Sequence, residues 1–291
     1  MHATSLHTNK NYLTIMFRES PQPEVPKYFY PNIGQSFRLL IRLILITIPL
    51  SIPYMIVMAL NKEYVLPYGQ LLTSFTLLLA YVISFYIVAR LGLKRIRKYD
   101  TSDYRLKFNM EPYQVLLIVV LMVLSGSILI SAMVDLLPES EWLNDIMSEL
   151  ARPNIFSFIN VVIAAPLLEE ILFRGVILEG LLKNYSPAKA IIWSAVIFAI
   201  SHLNPWQSTG VFFLGLLLGW VYYKSNSIIP GIVMHFANNL FGYIILIYSS
   251  DATEPMSDMF SNRSVIALGT LLVTWRWLNK RWTSPQAEPA L

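Results

Sequence analysis

Apolar runs dominate the chain from about residue 37 onward, each bounded by a short polar or charged stretch. Runs long enough to cross the roughly 30 Å hydrocarbon layer as helices fall at 37–60, 70–92, 113–136, 155–182, 187–204, 208–224, 228–249 and 262–279. The pattern predicts an all-α, polytopic membrane bundle of about eight transmembrane helices. The fifth and sixth runs are short and joined by Asn204-Pro205-Trp206, so the alternative there is a tight helical hairpin that does not fully cross. Residues 1–35 are polar and mildly basic, and Pro21, Pro23 and Pro26 argue against one continuous helix. They read as a retained cytoplasmic extension rather than a cleaved signal. The expected organisation is that extension, three helices with their loops over 36–150, a second helical group over 151–250, and a last helix with a cytoplasmic tail over 251–291.

Composition agrees with the pattern. Hydrophobic residues make up 55%, charged residues 14%, and the mean hydropathy is +0.52. A soluble chain of this size carries about 25% charged residues, so most of this one has no need to face water. There is no cysteine, which excludes disulfides, thiolate nucleophiles and cysteine metal sites. The net charge of +4 comes from residues flanking apolar runs, not from a patch with interleaved aromatics, so no nucleic-acid partner is expected. Membrane lipid and a protein or peptide substrate are the expected partners, and the oligomeric state stays open.

Charge distribution orients the bundle. Arg90, Lys94, Arg95, Arg97 and Lys98 follow the second run, Lys183 and Lys189 the fourth, Lys224 the sixth, and Arg276, Lys280 and Arg281 the eighth. The opposite loops carry Glu139, Glu141, Asp145 and Glu149, then Asp251, Glu254 and Asp258. The positive-inside rule then places both termini in the cytoplasm, with a bacterial inner membrane as the default compartment. No internal repeat supports an inverted-repeat transporter. The GxxxG pattern of Gly215 and Gly219 reads as helix packing within the bundle.

Ionisable groups inside a span are expensive and face a cavity or a partner. Here they are Glu169, Glu170, Arg174 and Glu179 on the fourth run, His202 at the end of the fifth, and His235 on the seventh, with Asn238 and Asn239 beside it. Glu170 and Arg174 are four apart with the acid first, the favourable order for an ion pair. Glu169 lies about 100° round the helix from Glu170 and has Phe173 at i+4, so its partner must come from another helix, His202 or His235. Pro166 removes a backbone donor and frees the carbonyl of Val162, inviting a kink or a water. His235 and Asn239 share one helical face, as do Phe198 and His202. Counting along the spans sets Glu169 and His235 roughly 10 Å below the cytoplasmic face and His202 roughly 20 Å below it. The site is therefore expected in the cytoplasmic half of the bundle, with a fifth helix that either starts further out or is tilted reconciling the depths.

EExxxR as Glu169-Glu170-Ile-Leu-Phe-Arg174, FxxxH as Phe198 to His202, and HxxxN as His235 to Asn239 occur in that order on successive apolar runs. In this the chain resembles the intramembrane proteases of the CAAX-protease and bacteriocin-processing family, also called the Abi or CPBP family. The resemblance covers roughly residues 150–250. It implies an eight-helix bundle with a cavity reached from membrane and cytoplasm. It also implies Glu169 as the general base that activates a water with the help of His202, and His235 and Asn239 as stabilisers of the oxyanion. Glu170 and Arg174, with Phe198 beside them, would hold the site together. Family substrates range from the C-termini of prenylated proteins to poorly defined bacterial peptides, and members have been described both as metal-dependent and as metal-independent.

The chemistry of the residues is compatible. A desolvated carboxylate suits a general base, and donors fixed in a low-dielectric pocket contribute on the order of 10²–10³ in rate at an oxyanion. Zinc could take Glu169, His202 and His235. HExxH is absent, however, and Glu170, the one carboxylate near enough to orient an imidazole, is already paired with Arg174. A metal-free glutamate–histidine mechanism without a cofactor is therefore the expectation, with zinc as the alternative. A presenilin-like reading fails because Asp100 sits in the basic loop, and a rhomboid-like one because no GxSG occurs. The reading is an intramembrane endopeptidase. Its rivals are a non-catalytic scaffold or bacteriocin-immunity-type protein using the same cavity, and a transporter with a carboxylate proton relay.

Overall fold

The computed structural model describes residues 29–282 except 65, 67, 100–103, 135–151 and 250–260. Most of the N-terminal extension, the two acidic loops and the C-terminal tail expected above lie outside the described residues. Within them every regular element is helical: α1 Ile33–Leu50, α2 Ile52–Tyr64, α3 Gly69–Tyr99, α4 Tyr113–Val134, α5 over 155–184, α6 Pro187–Ile200, α7 Pro205–Ser225, α8 Ile229–Ser249 and α9 Ser261–Arg281.

The first predicted span is two helices. Asn32 opens α1 with a capping box, its Oδ1 accepting from the Gln35 amide and its own amide donating to Gln35 Oε1, both at 2.9 Å. Pro49 and Pro53 flank the break at Ser51, where each removes a donor. Together α1 and α2 run antiparallel to the 31-residue α3 and pack along it. That leaves eight helical passes, as the pattern predicts.

Side chains are sorted as a bilayer requires. Ile41, Leu45, Ile48, Leu72, Leu117 and Leu121 are exposed, an outer apolar surface far beyond the patches a soluble monomer tolerates. Ile33–Leu50, Gly69–Lys98, Tyr113–Val134 and Ile229–Tyr248 are each long and apolar enough to cross a membrane. The chain is an integral membrane protein. With its 14 residues, α6 is about 21 Å long, short of the hydrocarbon thickness. It forms a close hairpin with α7 around a turn in which Leu203 takes the left-handed φ of 54°. Gly215 and Gly219 of α7 make the approach possible: a Cβ on Gly215 would lie 3.1 Å from Ala195 Cα, and one on Gly219 3.1 Å from Ile191 Cγ2.

Hydrogen bonds gather one end of the bundle. Asn184 at the end of α5 donates to the Phe29 carbonyl before α1 (2.8 Å), Trp282 after α9 donates to Glu111 before α4 (3.0 Å), and the Ile228 amide before α8 donates to the Lys107 carbonyl (2.8 Å). Lys107 also bridges Glu179 on α5 (2.9 Å) and Asn226 after α7 (2.8 Å), and Tyr222 donates to Glu179 at 2.7 Å. Glu179, one of the ionisable groups the sequence places on the fourth run, is buried and paired at this end. Of the nineteen lysines and arginines in the described residues, fifteen lie in this half, Lys62, Arg152 and Arg263 lie towards the other end, and Arg174 is buried. We call it the basic end.

Candidate active site

The helix that carries EExxxR is not uniformly α. Along α5 the segments Ile155–Phe158, Ala165–Glu169 and Glu179–Asn184 are α-helical, while Ile159–Ala164 and Glu170–Leu178 widen to π-helix, a geometry that recurs at functional sites. In the first wide stretch the Ala165 amide bonds the Asn160 carbonyl five residues back. In that register the donor missing at Pro166 orphans the carbonyl of Val161, not that of Val162 as α-helical counting predicts. Asn239 supplies the donor, its Nδ2 lying 2.8 Å from Val161 O. Proline on one helix and carboxamide on another are two halves of one feature.

Glu169 and Glu170 both reach His235. Glu170 Oε1 is 3.1 Å from His235 Nδ1 and 3.0 Å from Arg174 Nη1, with all three residues buried. Glu169 Oε2 is 3.7 Å from Nε2 of the same ring. The partner expected for Glu169 on another helix is His235: the two carboxylates diverge around α5, and the imidazole lies between them with one nitrogen facing each. The expected ion pair with Arg174 is present, yet it does not exhaust Glu170, which also holds Nδ1. A Cβ on Gly231 would sit 2.9 Å from Glu170 Oε2, so a side chain there would push the carboxylate out of its present position. Arg174 Nη2 donates to the Gly215 carbonyl (3.2 Å), and the guanidinium lies 4.6 Å from the centre of the Phe198 ring. Phe198 meets the rings of His202 and His235 edge-on at 5.1 and 5.9 Å, separating the arginine from the cavity.

A cavity of about 640 Å³, within the range of small-ligand pockets, adjoins this cluster. Glu169, His202 and Asn239 line it, with Asn160, Asn238 and Tyr81 and apolar walls from α4, α7 and α8. His235 stands behind Glu169, 3% exposed. His202 Nδ1 donates to the Phe198 carbonyl at 3.1 Å, which leaves Nε2 of a neutral ring as an acceptor. The Tyr81 hydroxyl on α3 donates to Glu169 Oε1. Glu169 Oε2 makes no hydrogen bond among the described residues.

The depth expectation is overturned. Glu169 lies fifteen residues before Asn184, and His202 fifteen after Pro187, so both are about 22 Å from the α5–α6 turn. No tilt is needed. His235 joins them because α8 begins deep in the bundle, with Ile228 packed at the level of Gly175. The cavity itself is lined by the second halves of α4 and α8 and the first halves of α5 and α7. It lies in the half remote from the basic end, not in the half next to it.

Reasoning from the sequence missed Tyr81 and Asn160, both polar groups well inside apolar runs, and assigned no role to Asn238. The Asn160 Oδ1 is buried without a partner among the described residues. Asn238 accepts from Ser127 (2.7 Å) and donates to Asn239 Oδ1 (3.0 Å), fixing the carboxamide that caps Val161. Among the described residues no three His, Asp or Glu side chains are grouped to hold a metal ion.

Fold and geometry together define a membrane helix bundle with a carboxylate–imidazole cluster beside an internal cavity. Residues 151–241 match the family model described as type II CAAX prenyl endopeptidase, Rce1-like. That span contains every motif position from Glu169 to Asn239, and the resemblance to CAAX-type intramembrane proteases holds for it. The UPF0177 protein YxdF of Lactococcus lactis subsp. lactis (strain IL1403) is 38% identical over 81 residues, covering 28% of this chain and 44% of that protein. The chain therefore matches less than half the length of this relative. No solved structure matches it significantly.

Proposed function

We propose that this protein is a CAAX-type intramembrane endopeptidase that hydrolyses a peptide bond with a water activated by Glu169, without a metal. The observation that carries this is Glu169, a residue lining the cavity whose Oε2 is a buried acceptor with no hydrogen bond among the described residues, 3.7 Å from an imidazole. A water bound there would give its proton to Glu169 as it attacks the carbonyl carbon, and the carboxyl would pass that proton to the leaving amine. His202, with Nε2 free to accept, orients the water. The second hydrogen of the Asn239 amide, the first being used on Val161, would meet the developing oxyanion. His235, with one ring nitrogen facing Glu170 and the other Glu169, would orient the general base from behind instead of meeting the oxyanion as expected. Glu170 and Arg174 position that ring and touch no substrate.

The basic end faces the cytoplasm by the positive-inside rule, in a bacterial inner membrane. The experiment is a comparison of protein N-termini in cells carrying wild type and Glu169→Gln, repeated with a chelator. Cleaved N-termini that vanish in the variant and persist with chelator support the reading. N-termini common to both strains refute the protease, and loss on chelation refutes the metal-free chemistry.

A further inference from the structure

The two halves of the bundle are packed differently. Next to the basic end α5 is sealed: every residue from Leu172 to Leu181 is buried, and Val119 and Met122 of α4, Leu218 and Val221 of α7 and Met234 of α8 close around it. No wall of the cavity comes from this half. Beyond Glu169, towards the other end, the same helices part. Gln207 and Gly242 line the cavity there and are exposed, and a Cβ on Gly242 would meet nothing within 4 Å. The residue that would do the chemistry thus forms the floor of a pocket whose other side is a solid core some 20 Å thick by helical rise.

Charge says which side is which. Fifteen described lysines and arginines lie in the sealed half and three towards the cavity end, the kind of bias that marks the cytoplasmic side of a membrane protein. We propose that the cavity is served from the non-cytoplasmic face of the membrane, so that its substrate is an apolar peptide segment presented at the outer surface and not a chain end arriving from the cytosol. The proposal rests on the endopeptidase reading for the word substrate, but the direction of access does not depend on it. The walls fit such a ligand: Ile130, Val211 and Leu214 would take apolar side chains, and the unpartnered Asn160 Oδ1 would accept from a backbone amide.

The chain has no cysteine, so single cysteines report access directly. Full-length protein carrying Gly242→Cys, Gln207→Cys or Lys224→Cys is exposed to a membrane-impermeant sulfonated maleimide in right-side-out and in inverted vesicles. The expected result is labelling of the two cavity variants only in right-side-out vesicles and of Lys224→Cys only in inverted ones. Cavity labelling from inverted vesicles, or from neither face, overturns the proposal, and two cavity positions guard against one failing to fold. In a second arm, a water-soluble quenched peptide of apolar residues is supplied to both kinds of vesicle. Cutting confined to right-side-out vesicles supports the substrate class, and cutting confined to inverted ones overturns it. Outer labelling with no cutting in either refutes the endopeptidase reading while leaving the access route standing.

Discussion

Glu170 Oε1 lies 3.1 Å from His235 Nδ1 and so ties the fifth helix to the eighth beside the cavity. The same oxygen is 3.0 Å from Arg174, and both charged partners are completely buried. Removing one member of such a pair strands the other away from water, which costs about 3–5 kcal/mol. Glu170→Ala should therefore lower the unfolding temperature of the protein in nanodiscs markedly. Glu169→Gln, which leaves the pair intact, should unfold close to wild type. Equal stability of the two variants would contradict the division of labour between the adjacent glutamates.

The Asn239 amide on the Val161 carbonyl predicts a coupling between Asn239 and Pro166. Asn239→Ala removes the side-chain donor from the Val161 carbonyl beside the cavity, a loss of about 0.5–1.5 kcal/mol as for a typical hydrogen bond. Pro166→Ala restores a backbone donor in the register that can reach the same carbonyl. In a double-mutant cycle read by thermal unfolding, the cost of Asn239→Ala should be smaller in the Pro166→Ala background than in wild type. Additive effects would mean that the two residues act independently.

That pair also marks the limit of what the sequence discloses. Hydrophobic periodicity reveals the helices well, because burial in lipid imposes it on every span. The three motifs reveal Glu169, His202, His235 and Asn239 as a set, because polar side chains at depth are few. Backbone register is different. Nothing in Ile159–Ala164 signals a π-helix, so counting from Pro166 lands one carbonyl away from the one that Asn239 caps. Nor does periodicity signal that an imidazole can lie between two carboxylates 100° apart. Tyr81 was illegible for another reason: tyrosine at mid-span is ordinary, and only the packing of α3 against α5 brings its hydroxyl to Glu169. The depth of the cavity could not be read from loop charge either, since it depends on where α8 begins relative to α5.

Tyr81 should matter to rate more than to stability. Its ring stacks on Phe85 with centroids 4.5 Å apart, which fixes the hydroxyl against Glu169 Oε1 and leaves Oε2 for water. Tyr81→Phe keeps the stack and removes the donor, so kcat should fall roughly 10-fold or more, as for loss of a positioned hydrogen bond, with KM and unfolding temperature little changed. A rise in KM at unchanged kcat would make Tyr81 a contact for substrate instead.

Gly215 carries two functions that a side chain would disturb together, close approach to α6 and the carbonyl that receives Arg174. Gly215→Leu should destabilise the α6–α7 hairpin by about 1–3 kcal/mol, as overpacking does, and reduce proteolysis because His202 lies at its turn. Full activity with unchanged stability would mean the approach is not tight.

The most direct test is the initial rate of peptide cleavage by purified protein in liposomes, wild type against Glu169→Gln, with equal unfolding temperatures confirming that both are folded. Loss of a general base predicts a rate lower by on the order of 10²–10⁴-fold in the variant. Cleavage by Glu169→Gln at the wild-type rate would contradict the assignment of Glu169 as the group that activates water.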